Sequence, residues 1–461
     1  MPVRPNILFI MDDQHRHDFL GCAGADFIQT PHIDSLAERG MVFTHCCTNA
    51  PVCGPARIAL ATGLLPTRTG TVSNHTSFMP LSTPNHYRHF RDNGYRVEVV
   101  GRHDLAKPGA PGSVYGTRPL NASYGFTRAL EIDGIMSSAL KAAKQGATGP
   151  YTSHLQEAGL LDAFRADYVE RSGKGWIIGA SHDWPLAEEH HPDVFTCRRA
   201  VERIENIEDD YPWYMLVSFH SPHDPYAPPS RLGDQYRDAD IPDPIPPNME
   251  GRPRRIRDRY ERLYSHATAE DIRVARRQYC AKVALIDEQV GRLMDALAAR
   301  GVLDSTIVVF ASDHGDHVGD HGLFIKHTAY EPSLRVPLVI SGPTINAGRS
   351  DALVELFDLN PTLVELAGLA PQPNLDARSF APLLRGESGT HRPHCFACED
   401  GYRAVRTPEH KYIETLNDTP ELYDLAADPG ERFNILGEQP KRVTELRQVM
   451  LHRMTSEQWR H

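Results

Sequence analysis

Four stretches of the chain share one pattern: an apolar run that stops abruptly at polar or charged residues. They are Asn6–Gln14 (NILFIMDDQ), Tyr95–Leu105 (YRVEVVGRHDL), Trp213–Pro225 (WYMLVSFHSPHDP) and Ser305–His317 (STIVVFASDHGDH). Such runs, set between helical patterns, predict strands buried on both faces of a largely parallel sheet. Open α/β sheets bind ligands beyond the carboxyl ends of their strands. The pattern therefore predicts that Asp12, Asp13, His103, Asp104, His220, His223, Asp313 and His314 gather along one edge.

Elsewhere the period changes. From Ala269 to Arg300 apolar residues recur at steps of three and four (Ile272, Ala275, Tyr279, Val283, Ile286, Val290, Leu293, Leu297), the stripe of a packing helix. Thr268 with Asp271 has the form of a capping box, and Gly301 suits the stop. The Pro- and Arg-rich IPDPIPPNMEGRPRR before it reads as a surface loop. Residues 106–195 read as irregular insertions around the mouth of a site. After PLVISGP come a short helix within Asp358–Leu369 and the β-like runs EDGYRAVRT, HKYIETL and ELYDL. The expected fold is α/β. A large, mostly parallel or mixed sheet flanked by helices spans residues 1–370, and a small C-terminal subdomain with an antiparallel sheet spans residues 371–461.

Charge and composition narrow the function. A net charge of −11 over 461 residues argues against a nucleic-acid coat or a membrane surface as partner. An anionic substrate would then need a locally positive site. No apolar run approaches bilayer length. The N-terminal run is too short for a signal-peptide core and ends in two aspartates, which implies a cytoplasmic protein. Eight cysteines are too few for a disulfide scaffold, and CFAC (Cys395, Cys398) reads as thiols in or beside a strand.

Two constellations carry chemistry. In NAPVCGPARIALATG, Pro55 suits the first turn of a helix, and Arg57 follows Cys53 by four residues, on the same face. Helix N-termini bind anions, so this stretch offers a reactive position, a cation and an anion hole together. The spacing is too short for a cysteine phosphatase, and nothing selects a papain-like His and Asn. The second constellation is the pair of acidic strand ends, Asp12–Asp13 and Asp313–Asp316. Clustered carboxylates raise one another's pKa. A divalent cation with oxygen ligands from Asp12, Asp13 and Asp313 relieves this. A nitrogen from His314 leans toward Mn²⁺ or Mg²⁺ without excluding Ca²⁺.

These segments resemble the type I sulfatases of the alkaline-phosphatase superfamily. CGPAR matches their C-x-P-x-R signature, and NILFIMDDQ their opening strand. SDHGDHVGDHGLFIKHTAYEPSLRVPLVI, FHSPHDPY and ELYDLAADPGERFNI are similar to further family segments. The resemblance implies that a maturase oxidises Cys53 to formylglycine, whose hydrate attacks the sulfur and later expels sulfate by elimination. It implies metal ligation by Asp12, Asp13, Asp313 and His314, a charge-neutralising Arg57 that holds the formylglycine, and sulfate contacts from Lys326 and His223. Asn74 would lie near the nucleophile, and His103 and His327 near the substrate. The expected partner is a small anionic ester; enzymes of this size often pair as homo-oligomers, though no residue pattern here decides it.

Departures from the family matter too. Arg102 stands where many relatives carry the lysine of G-K-x-H, keeping the charge and gaining a fork. Asp104 stands where the histidine would be, so the leaving-group acid passes to His223 or Lys326. Ala56 replaces a frequent serine. His314 occurs where classical arylsulfatases carry Asn, whereas choline-sulfatase-like and phosphonate or phosphodiester hydrolases carry His. A phosphonate monoester or phosphodiester hydrolase is therefore the alternative reading. A non-catalytic anion-binding module is disfavoured by the retention of both acid pairs, Cys53, Arg57 and Lys326.

Overall fold

The computed structural model describes residues 4–107, 120–175, 180–208 and 210–456. Eight strands form the main sheet. Their spatial order is Gly348–Ser350, Gly40–Phe43, Leu338–Ser341, Thr306–Ser312, Asn6–Asp13, Trp213–Pro222, Arg96–Gly101, Arg128–Glu131. Leu338–Ser341 runs antiparallel to both neighbours; all other pairings are parallel.

Alternation along the buried strands explains why they read as continuous apolar runs. Ile7, Phe9 and Met11 enter one core with Ile58, Tyr87, Phe90 and Leu363 from the helices Cys53–Thr62, His86–Asp92 and Leu359–Leu366. Leu8 and Ile10 enter the other, against Tyr279, Val283, Ile286 and Val290 of the long helix Ala269–Ala299. That helix starts at the expected capping box of Thr268 and Asp271, and Gly301 beyond its end has φ 73°.

The C-terminal region carries a four-stranded antiparallel sheet, Cys395–Glu399, Tyr402–Arg406, His410–Thr415 and Glu421–Asp424 in that order. Cys395 and Cys398 are buried in its first strand, and none of the eight cysteines is in a disulfide. Among the described residues no helix is long and apolar enough to cross a membrane.

The described residues within 106–195 are more regular than their composition suggests. They include the helices Ile135–Gln145, Pro150–Glu157 and Leu161–Gly173. The first buries Ile135, Ser138, Ala139 and Ala142. That is a true helical stripe, but small residues make it hard to see. The expected loop IPDPIPPNMEGRPRR gives way at its last two residues to the helix Arg254–Leu263, which buries only Ile256.

One glycine governs how the strands meet at the functional edge. Gly101 has φ 108°, and a Cβ there would lie 1.9 Å from the carbonyl oxygen of Ser218 on the neighbouring strand. Gly101→Ala is expected to cost roughly 1–3 kcal/mol from the backbone conformation alone. A thermal melt checks this: a Tm several degrees lower is expected, and an unchanged Tm would contradict the account.

Candidate active site

Register brings the acids together. Asp12 pairs with Ser312 across the two parallel strands, so Asp12–Asp13 and Asp313–His314 emerge side by side. Gly101 pairs with Ser218, which places Arg102 at the same edge. The helix Cys53–Thr62 points its first turn into this group. Its Gly54 N–H donates to the side-chain oxygen of Asn74 at 3.0 Å.

Around Cys53 the contacts are tight. His314 Nε2 lies 3.2 Å from Sγ, Lys326 Nζ 3.1 Å and Asp13 Oδ1 3.6 Å. Lys326 also donates to His223 Nε2 at 2.7 Å, while His223 Nδ1–H donates to the Asp224 carbonyl. That second bond sets the ring so that Nε2 is the acceptor. The family role expected for Arg57 is a hold on the nucleophile side chain. Its four hydrogen bonds go instead to Asp313 Oδ2 (2.7 Å), Asp13 Oδ2 (3.2 Å), Ser218 Oγ and the Arg102 carbonyl. Arg102 adds a 3.0 Å ion pair to Asp13.

These groups are out of water, which sets their electrostatics. Burial pushes Asp13 up, but Arg102, His223, Lys326 and Arg57 outweigh it and hold the carboxyl well below its usual range. Burial raises Asp12 despite His15, and raises Asp313 despite Arg57. Burial and Asp13 push the Cys53 thiol up, yet Lys326, His314 and Lys107 bring it well below its ordinary value. One oxygen of Asp12 is held by His15 Nδ1 at 2.5 Å; the other, Oδ1, is buried with no hydrogen-bond partner. Donor atoms of Asp13, Cys53, Asp313 and His314 lie within 4.8 Å of one another. An orphaned carboxylate oxygen beside this cluster fits a hard divalent cation with mixed oxygen and nitrogen ligands.

A cleft of about 380 Å³ opens onto the site, lined by Asn74, His75, Arg102, Lys107, Gly134–Ser137, His220, His223 and Asp224. Residues 5–369 match the family described as Sulfatase, and residues 319–459 match N-sulphoglucosamine sulphohydrolase, C-terminal. The chain is 31% identical to the choline-sulfatase of Rhizobium meliloti, covering 95% of this chain and 83% of that one. It is 28% identical to an arylsulfatase of Clostridium perfringens, covering 97% and 94%. The phosphonate monoester hydrolase of Agrobacterium radiobacter superimposes with a TM-score of 0.83 at 24% identity, over 98% of this chain and 96% of that one. BT4656 in complex with its substrate D-glucosamine-2-N,6-O-disulfate gives 0.77 at 22% identity, over 99% and 98%.

The chain belongs to the sulfatase family. It is a sulfuric ester hydrolase with the fold of the alkaline-phosphatase superfamily. Within this sulfatase, the expected residues divide into those that meet and those that do not. Cys53, Arg57, Arg102, Asn74, His223, Lys326, Asp12, Asp13, Asp313 and His314 converge.

His103 does not join them. Its side chain is fully buried beside Tyr124 and Phe126, with Nε2 2.8 Å from Asn121 Oδ1. The strand ends at Gly101, and beyond it the chain leaves extended geometry, with φ 54° at Asp104; the His103 ring packs in the core while Arg102 and Asp104 pair with each other. His327 is drawn away by a hydrogen bond from Nδ1 to Glu399 and lines a separate small pocket with Arg255 and Tyr402. Reasoning from the sequence missed Ser218, which accepts from Arg57, and Lys107 at the cleft wall. Ser218 sits inside an apolar run, which was a readable signal; Lys107 carried none.

Arg57 ties two buried carboxylates to one guanidinium. Removing it takes the only guanidinium from Asp313 among the described residues and one of two from Asp13, so Arg57→Met is expected to lose about 3–5 kcal/mol of stability. Urea denaturation measures this, and a midpoint unchanged from the parent protein would refute the assigned role.

Proposed function

We propose that this sulfatase cleaves sulfate esters through a side chain formed from Cys53, with a divalent cation held by Asp12, Asp13, Asp313 and His314. The observation that carries the reading is the convergence of Lys326 Nζ, His314 Nε2 and Asp13 on Cys53 at the start of a buried helix. The thiol marks the place of the converted side chain. Conversion of Cys53 to formylglycine by a maturase would supply an oxygen nucleophile, and a bound cation would supply Lewis-acid polarisation of a sulfate oxygen.

The chain's own residues do the rest. Before conversion, burial tends to discharge Lys326, but Cys53 and Asp13 outweigh it and raise its pKa; Asp13, Asp224 and Asp313 still favour the ammonium form once the thiol is replaced. It can donate to a sulfate oxygen or pass a proton to the departing alcohol. His223, held by the Asp224 carbonyl, takes the neighbouring position and orients Lys326 through their 2.7 Å contact. Asn74 accepts the Gly54 N–H and so steadies the first turn beneath the nucleophile. Arg57 and Arg102 hold Asp13 in its ionised form.

A phosphonate monoester or phosphodiester is the second reading, favoured by the presence of His314 in place of the Asn of classical arylsulfatases. Turnover of an aryl sulfate, an aryl phosphonate and a phosphate diester, measured side by side, separates the two. Faster turnover of either phosphorus ester would reverse the order.

Cys53→Ala is expected to remove nearly all turnover while the melting temperature stays within a degree or two of the parent's. Peptide mass across Cys53, from protein made with the maturase, should show sulfur exchanged for aldehyde oxygen. An unmodified thiol in active enzyme would sink the proposal. Lys326→Ala should lower kcat by about a hundredfold or more, in the range for a lost proton donor. A change confined to KM would rule that role out.

A further inference from the structure

The reacting end of the cleft is occupied by Cys53, His314, Lys326 and His223, which contact one another. Lys107 lies on the cleft wall outside that group. Among the described residues it has no hydrogen bond or ion pair to any of the four. Its single ion pair is to Asp104 Oδ2 at 2.7 Å.

The backbone holds Lys107 firmly in place. Its N–H donates to the Ser77 carbonyl at 2.7 Å, Met79 N–H donates to the Leu105 carbonyl at 2.8 Å, and Phe78 bridges to Ala106. Asp104 is itself anchored: the same Oδ2 lies 2.5 Å from Arg102 Nε. Arg102 is in turn committed to Asp13. A lysine ammonium has three donors. The ammonium lies against a carboxylate oxygen that Arg102 also approaches, and the side chain is only 10% exposed. This largely buried cation therefore stands at the cleft wall, with one carboxylate oxygen shared between it and Arg102. Two cations, Arg102 and Lys107, meet one oxygen of Asp104, so a lysine head group at this wall fits an anionic ligand.

The rest of the wall agrees. Ile135 and Met136 supply an apolar side. The lone acid of the lining, Asp224, is engaged by Gln14 Nε2 at 3.3 Å and His223 Nδ1 at 3.2 Å.

We propose that Lys107, anchored by Asp104, is a specificity-determining residue that recognises a negatively charged substituent on the alcohol half of the ester. The inference rests on the sulfatase reading above and names its substrate class: sulfate esters whose alcohol carries a second anion.

Three probes test it: phenyl sulfate, 4-carboxyphenyl sulfate and choline sulfate, with kcat/KM measured for the parent, Lys107→Met, Lys107→Arg and Lys107→Glu. Lys107→Met should lower kcat/KM for the carboxy ester by about tenfold, at least about fivefold more than for phenyl sulfate, and mainly through KM. Lys107→Arg should keep the preference, and Lys107→Glu should shift it toward choline sulfate. Equal losses on the neutral and carboxylated esters would place Lys107 on the reacting group and overturn the proposal. So would the absence of any loss. A parent enzyme inactive on all three would overturn the sulfatase reading and this inference with it, whereas turnover without charge discrimination overturns this inference alone.

Discussion

Three carboxylates, Asp12, Asp13 and Asp313, are taken wholly out of water at the ends of two neighbouring strands. Buried anions this close are costly unless each meets a cation or a donor. The surroundings of the site answer that cost. Arg57 spans Asp13 and Asp313, Arg102 reaches Asp13, and backbone N–H groups of Gln14 and His314 donate to Asp313 Oδ1. Asp12 keeps one oxygen without a partner. The protein thus compensates most of the charge and leaves a residue that a divalent cation would match. The anchoring of the strands, down to the glycine that lets Arg96–Gly101 approach Ser218, serves the same cluster.

From this cluster the site divides into two ends. At the reacting end, cations and an imidazole converge on the first residue of a helix, so negative charge developing there is met by groups already in place. At the other end the wall is partly apolar and carries Lys107 in the grip of Asp104. The chemistry and the choice of alcohol are therefore read by different residues, joined through Arg102, which touches both Asp13 and Asp104.

Much of this was legible in the chain because buried parallel strands announce themselves twice, by apolar continuity and by the acids that end them. Asp12, Asp13 and Asp313 were readable for that reason, and so were Cys53 and Arg57, whose spacing is short and local. The long helix was readable from its stripe and its Thr268 cap. What escaped depends on direction rather than identity. His103 sits beside Arg102 in sequence, but the turn of the chain past Gly101 sends its ring into an aromatic core. His327 follows Lys326, yet its backbone has φ 76° and its ring goes to Glu399 of the C-terminal sheet. The helix Ile135–Gln145 packs through Ser and Ala, which a hydrophobic pattern underweights. Lys107 gains meaning only when the chain folds its neighbours onto Ser77 and Met79.

The account stands on a cation belonging between those strand ends. The most direct measurement is elemental analysis of the purified protein by inductively coupled plasma mass spectrometry, set beside the Asp13→Asn and Asp313→Asn variants. The account predicts close to one divalent ion per chain in the parent protein and a large loss from each folded variant. A fully active parent without bound metal, or variants that retain the ion unchanged, would contradict it.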